Sequence, residues 1–165
     1  MDLNKKLDNA RIANDCRTAQ EVAPHVAPND LFRTLIFAVS DKQQDFTLAV
    51  FPYLSEKHRG EIFDLAVESR NNDIVRALLP HSDPLFNHSC ALQMASATQN
   101  QDIFDLLYPV SDPLKALKVM KKYSRAFEYR MLEQRIEELK TKKALNKAVK
   151  KSTPKSTSAR SARKI

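Results

Sequence analysis

The sequence has a single glycine, Gly60, no tryptophan and only two cysteines among its 165 residues. A lone glycine excludes most glycine-rich phosphate-binding loops, which need several flexible positions close together. No run of 18 apolar residues occurs, so we expect no membrane-spanning helix. With so little glycine, and with eight prolines clustered at regular places, the composition favours helices over a β-sheet.

Two cysteines are too few for a disulfide scaffold. Cys16 and Cys90 lie far apart and form no C-x-x-C motif, whereas small secreted scaffolds carry several paired cysteines. We expect both to be unpaired, buried thiols. The first residues, MDLNKKLDNARIAND, contain no apolar stretch of the secretory type. We therefore expect an intracellular protein, cytoplasmic or nuclear, that is neither secreted nor membrane-spanning.

A repeated spacing organises the first two thirds of the chain. Four prolines follow one another at steps of 28, 28 and 29 residues, and alanines and large apolar residues keep the same steps. These sets are Pro24, Pro52, Pro80 and Pro109; Ala10, Ala38, Ala66 and Ala95; and Leu7, Leu35, Phe63 and Leu92. Self-similarity at one such period is typical of stacked repeats, in which no unit buries its apolar face alone. We therefore predict an all-α, helical-repeat solenoid.

Each repeat unit is predicted to contain two helices. In the third, apolar residues at helical spacing over 62–67 and 74–79 predict one helix each, separated by the polar residues 71–72. Asp73, like Asp45 and Asp102, stands seven residues before a proline, and we expect it to serve the exposed amides at the second helix start. We expect Pro80 to end that helix by biasing the residue before it out of the α region.

The segment 65–79, LAVESRNNDIVRALL, resembles the helix–turn–helix of an ankyrin repeat, whose pattern is roughly LAAxxGHxxIVxLLL. Residues 94–108 match the same frame, and residues 37–51 match it more weakly. The resemblance covers about residues 5–113 and implies an ankyrin-like helix–turn–helix stack of about four repeats, the first a polar N-terminal cap. The alternative is an unrelated α-solenoid of helix pairs.

The chain also departs from the family pattern. Lys42, Arg70 and Gln99 replace the family's glycine between the helices, and the TPLH opening is absent. The period of 28–29 residues, against 33 in the family, implies that the protruding β-hairpin is reduced to a short loop. Because hairpin tips carry part of the family's usual binding surface, the helix faces become the better candidate for binding.

Charge divides the chain sharply, although the net charge is only +7. Residues 1–113 hold 10 Lys/Arg against 16 Asp/Glu, a net charge of −6, whereas residues 114–165 hold 17 against 4, a net charge of +13. We interpret residues 1–113 as the repeat array and residues 114–150 as a C-terminal capping and basic helical segment. Residues 151–165, which are too polar to bury a core, are expected to form a disordered basic tail.

One or two helices are expected after the array, over roughly 113–123 and 125–148. Pro113 suits the first turn of the former, with Asp112 as its N-cap, and this helix is expected to close the exposed face of the fourth unit.

The basic run is a candidate polyanion-binding segment. From residue 140 onward it contains no acid and ten cations: Lys140, Lys142, Lys143, Lys147, Lys150, Lys151, Lys155, Arg160, Arg163 and Lys164. Such a segment would bind nucleic acid with strong salt dependence and little sequence preference. No aromatic residue interleaves the cations, so base stacking is not supported. The alternatives are a targeting or phosphorylation-tuned segment, or a solubilising tail.

Chemistry of the catalytic kind is missing from the sequence. The four histidines stand beside prolines or in loops, without cysteine or carboxylate at metal-ligand spacing, and no serine or cysteine lies in a nucleophile context. We expect no enzyme activity, catalytic residue, cofactor, metal or small-molecule substrate.

The sequence thus favours an interaction protein that binds a protein partner, with the basic tail adding contact to nucleic acid. Candidate partner-binding residues are Lys42, Gln43, Arg70, Asn71, Gln99, Asn100, His81 and His88. The alternative is a nucleic-acid-binding protein in which the C-terminal helix and tail are the main site. A minor alternative is an inhibitor that acts by steric occlusion, since short ankyrin-like proteins also occur in viruses and phages, where they engage host factors.

Overall fold

The computed structural model describes residues 2–124 and 126–152, and the predicted all-α class is confirmed for this part of the chain. It contains the helices α1 (Leu3–Ile12), α2 (Cys16–Val22), α3 (Pro28–Ser40), α4 (Gln44–Val50), α5 (Glu56–Glu68), α6 (Asn72–Leu78), α7 (Phe86–Ala97), α8 (Gln101–Leu107), α9 (Pro113–Tyr123) and α10 (Ala126–Ser152). A 3₁₀ turn follows each of α2, α4, α6 and α8, at Ala23–His25, Phe51–Tyr53, Leu79–His81 and Tyr108–Val110.

The helices form pairs whose spacing follows the sequence period. α4, α6 and α8 begin at Gln44, Asn72 and Gln101. The first helices of successive pairs contact one another in the order α1, α3, α5, α7 and α9, and the second helices in the order α2, α4, α6 and α8. One buried apolar cluster runs through all the pairs, from Leu7 to Ile136. The recurring apolar positions therefore form the core.

The same turn closes the first helix of four pairs. In α5, the amide of Asn71 donates to the carbonyl of Ala66 (3.0 Å) and the amide of Arg70 donates to that of Val67 (3.0 Å), which is the Schellman pattern. Equivalent bonds from residues 15, 43 and 100 reach the other recurring alanines, Ala10, Ala38 and Ala95. The turn requires one left-handed residue per pair, and these are Asn14, Lys42, Arg70 and Gln99, with φ of 50°, 57°, 56° and 53°.

The prolines act differently from the sequence expectation. Leu79, before Pro80, has φ −52° and ψ −42°, which is α-helical, and the residues before Pro24, Pro52 and Pro109 share this conformation. Proline lacks an amide hydrogen, so it cannot extend the i→i−4 ladder. The last such bond in α6 runs from Leu79 to Val75, and the chain continues as a 3₁₀ turn.

The aspartates before the prolines also differ from their expected role. Asp73 lies in the first turn of α6, one residue beyond its start, and the N-cap residue is Asn71. Asp45 and Asp102 hold the same place in α4 and α8. A carboxylate there interacts favourably with the positive end of the helix dipole rather than bonding a capping amide.

Gly60 is explained by packing and not by a turn. It lies inside α5 and is buried. A Cβ added there would lie 2.5 Å from the Phe86 ring at the start of α7. The single glycine thus lets an aromatic ring lie against the backbone of the neighbouring helix.

The helices after residue 112 extend the same core. Asp112 caps α9 by accepting from the amide of Lys115 (3.0 Å), as predicted, and α9 packs against α7. α10 packs against α7 and α9, and buries Leu132 and Ile136. α10 also continues to Ser152, so residues 151–152 of the predicted disordered tail are helical, while residues 153–165 lie outside the described residues.

Candidate interaction surfaces

Polar side chains between the helices of a pair join it to the preceding pair. Asn71 is only 7% exposed, and its Nδ2 donates to the carbonyl of Val39 (2.7 Å). Gln43 is half-buried and its Nε2 donates to the carbonyl of Arg11 (2.8 Å). Each of these carbonyls also accepts a main-chain amide in its own turn, Val39 from Lys42 (3.1 Å) and Arg11 from Asn14 (3.0 Å), so the side-chain amide adds a second hydrogen bond that joins the two pairs.

Asn100 also joins its pair to the preceding one, but through a side chain and not a main-chain carbonyl. It is buried, and its Nδ2 donates to Oδ1 of Asn72 (2.7 Å). Asn71 and Asn100, which the sequence predicts as contact residues, thus use their amides in interactions between pairs, and little of either residue reaches solvent.

The left-handed residues themselves lie at the surface. Lys42, Arg70 and Gln99 are exposed, whereas the polar residue that follows each one is half-buried or buried. Lys42 and Arg70 line a cleft of about 250 Å³ together with Asn72 and Asp73. Of the six predicted contact residues in these turns, these three keep the exposure that binding requires.

The two predicted histidines are exposed but do not share a site. His81 ends a 3₁₀ turn and lines a cleft of about 220 Å³ with Arg59 and Asp83, which His88 does not line. His88 lies in a left-handed turn formed with Asn87 and Ser89. The Oγ of Ser89 accepts from the amide of Asp112 (3.0 Å), so this turn supports the start of α9.

A face of α3, α5 and α7 that the sequence reading missed carries an apolar row. Phe37, Leu65 and Met94 occupy equivalent positions on the three helices; Phe37 is 52% exposed and the other two are half-buried. We call this surface the α3–α5–α7 face; it comprises residues 33, 36, 37 and 40 of α3, 61, 64, 65 and 68 of α5, and 90, 93, 94 and 97 of α7. None of these positions is buried. Its signal in the sequence is that these three apolar residues recur with the period, each directly before one of the recurring alanines.

Carboxylates border the apolar row on α5. Glu61, Asp64 and Glu68 lie on one side of the helix, three and four residues apart. The pKa of Asp64 is raised to about 6: partial burial is the main cause and the charges of Glu61 and Glu68 add to it, while a hydrogen bond with the Cys90 thiol acts in the opposite direction. Burial and the Asp64 charge raise the pKa of Cys90 to about 12, so this half-buried cysteine is an unreactive thiol.

The C-terminal half of α10 extends beyond the helices it packs on. Every residue from 140 to 148 is exposed, and Leu145, at 63% exposure, is the one large apolar residue among them. Of the predicted polyanion-binding residues, four are exposed cations on this helix, namely Lys140, Lys142, Lys143 and Lys147. Lys150 and Lys151 also belong to α10, and Lys155, Arg160, Arg163 and Lys164 lie outside the described residues.

We call residues 140–152 the basic helix end.

Within the described ranges, 2–124 and 126–152, no group of three His, Cys, Asp or Glu residues is arranged to hold a metal ion. None of the helices described is long and apolar enough to cross a membrane.

Comparisons with known proteins return no family. No family model, curated protein or solved structure matches the chain.

Proposed function

We propose that the chain is a non-enzymatic, ankyrin-like repeat protein that holds a protein partner on the α3–α5–α7 face and contacts nucleic acid or another polyanion through the basic helix end. The observation that carries the proposal is the apolar row in which Phe37 is exposed and Leu65 and Met94 are half-buried. Aligned apolar residues that stay at least partly exposed beside a charged border are typical of protein-binding surfaces.

The ankyrin-like assignment is supported by the turn between the helices of a pair. The family has glycine at this position, where the chain has Lys42, Arg70 and Gln99. All three keep the left-handed conformation that makes glycine favourable there. At this position the chain therefore differs from the family pattern in its side chains, while its backbone has the conformation that favours glycine.

The polyanion contact is supported by geometry and charge. A helix that leaves the body with exposed lysines presents its cations at fixed positions, and each phosphate they neutralise releases counterions. Its ordered backbone lowers the conformational entropy lost on binding, compared with a flexible tail.

The polyanion contact is tested with the full chain and a fluorescent duplex DNA in an anisotropy titration across a salt series. The variant replaces Lys140, Lys142, Lys143 and Lys147 with glutamine. The slope of log K against log[salt] is negative, and its magnitude should decrease by about 3–4 in this variant, because each lost phosphate contact removes roughly 0.9 from it. A matched control replaces four exposed lysines elsewhere, Lys5, Lys115, Lys118 and Lys122, and an equal loss in both variants would contradict a localised site.

The protein partner is tested by comparing two aromatic substitutions. Phe37→Ser changes the α3–α5–α7 face, whereas Tyr53→Ser changes an exposed tyrosine in the 3₁₀ turn after α4. Immobilised wild type and Tyr53→Ser should retain the same partner, identified by mass spectrometry, and Phe37→Ser should lose it. Retention by all three would show that the face is not the site.

Two alternatives give different results. If no protein depends on Phe37 while the full chain binds duplex DNA tightly at physiological salt, the C-terminal helix is the main site and the helix pairs orient it. If the captured partner is an enzyme whose activity falls on binding, the chain acts as an inhibitor by steric occlusion.

A further inference from the structure

The basic helix end and the α3–α5–α7 face have complementary chemistry. The helix end carries lysines around one exposed leucine, Leu145. The face carries an apolar row and, on α5, the carboxylates Glu61, Asp64 and Glu68. Of these three carboxylates, Glu61 has a neighbouring cation in Lys57 (3.7 Å). The pKa of Asp64 is raised by burial and by its acidic neighbours. A cationic partner side chain would relieve that repulsion.

The two surfaces also match in length. Thirteen helical residues span about 20 Å at a rise of 1.5 Å per residue. The axes of α3 and α7 lie two packing distances apart, with α5 between them, and packed helices are spaced by 8–10 Å, which gives about 16–20 Å. One basic helix end laid across the face could therefore contact all three helices.

The helix end does not meet this face within its own chain. α10 is continuous from Ala126 to Ser152, and Leu132 and Ile136 fix its first half against α7 and α9. Residues 140–148 are exposed, so they contact no other part of the described chain closely. Reaching the face of the same molecule would require breaking the helix.

We propose that the basic helix end of one copy docks across the α3–α5–α7 face of a second copy, with Leu145 against the apolar row and lysines beside the α5 carboxylates. This inference rests on the proposed function, since it names the partner of the same face. A reciprocal exchange between two copies forms a closed dimer that uses each surface once. It also covers the lysines that would contact a polyanion, so self-association and duplex binding compete.

Sedimentation velocity tests the proposal on the full chain at about 50 mM salt, where electrostatic attraction is weakly screened. The face variant carries Glu61→Lys and Glu68→Lys, and the helix variant carries Lys143→Glu and Lys147→Glu. Each should weaken self-association at least tenfold, and a chain that carries all four changes should recover it, because the charges are complementary again. The control variant, Glu21→Lys with Asp45→Lys on α2 and α4, should associate like wild type.

The outcomes separate this inference from the proposed function. A wild-type chain that stays monomeric at about 50 mM salt and high concentration, or a four-change chain that recovers nothing, overturns self-docking. DNA anisotropy on the same variants reports on the proposed function: the face variant should keep DNA binding and the helix variant should lose it. Added duplex should dissociate the wild-type dimer, and a dimer that binds duplex without dissociating contradicts the shared use of the lysines.

Discussion

Arg70→Gly should stabilise the protein, although it removes an entire side chain. Arg70 is exposed and has φ 56°, a left-handed conformation that costs an ordinary L-residue about 1–2 kcal/mol and glycine almost nothing. Part of this gain is lost because glycine is more flexible in the unfolded chain, by roughly 0.5–1 kcal/mol. We expect a net gain of about 0.5–1 kcal/mol in the free energy of unfolding.

The assay is urea unfolding followed by circular dichroism, with thermal unfolding as a second measurement. For a chain of this size, 1 kcal/mol corresponds to a shift of about 2–4 °C in Tm. Ser69→Gly is the matched control, since Ser69 directly precedes Arg70, is exposed, and has φ −74°. At that right-handed position glycine relieves no backbone strain and only makes the unfolded chain more flexible, so Ser69→Gly should lower the free energy of unfolding by about 0.5–1 kcal/mol.

The two substitutions should change the free energy of unfolding in opposite directions although the residues are neighbours. If Arg70→Gly and Ser69→Gly destabilise equally, then Arg70 is not left-handed in solution and the shared Schellman turn is incorrect. Replacing Lys42, Arg70 and Gln99 together should give approximately the sum of three gains, because each residue lies in a separate turn.

Three further predictions concern the core and the face. Asn71→Ala should cost about 0.5–1.5 kcal/mol in urea unfolding, because it removes a buried hydrogen bond that joins two pairs while the Val39 carbonyl keeps its bond from the amide of Lys42. Ala66→Leu should cost about 1–3 kcal/mol by overpacking a fully buried position, whereas Lys143→Ala on the exposed helix should leave Tm nearly unchanged. The raised pKa of Asp64, about 6 against an ordinary 3.8, means that the folded state holds this proton more tightly, so wild-type stability falls as pH rises from about 4 to 6. Asp64→Asn should remove that fall and be more stable at pH 7 by up to about 3 kcal/mol; identical pH profiles would contradict the shift.

The sequence predicted helices and core well because both depend on local spacing. Leu7, Leu35, Phe63 and Leu92 recur with the period, and all four are buried. The N-cap at Asp112 was also predictable, since a capping side chain reaches only a few residues along the chain. Patterns of this kind leave their signal within one or two helical turns of sequence.

The candidate site was less predictable because it depends on contacts between pairs. An asparagine between two helices is expected to be exposed. Asn71 is nevertheless buried, and its side chain donates a hydrogen bond to the carbonyl of Val39, 32 residues earlier in the chain. The roles of Phe37 and Leu65 were missed for a different reason: apolar spacing shows that a helix has an apolar side but does not show which of its residues stay exposed, and Phe37 is exposed while Leu65 is half-buried. Whether such an asparagine or apolar residue is buried or exposed is decided only when neighbouring pairs pack against each other.

The last helix shows how one absent residue extends a helix through the basic run. Leu132 and Ile136 in α10 stand 29 residues after Ile103 and Leu107 in α8, and all four are buried, so the period continues past residue 113. The next proline of the series would fall near residue 138, where the chain has glutamate. Without a proline to interrupt the i→i−4 ladder, the helix continues through the basic run. The cations therefore extend from a helix anchored in the core, and placing proline at Glu138 should release them from it and weaken any contact that depends on their fixed spacing.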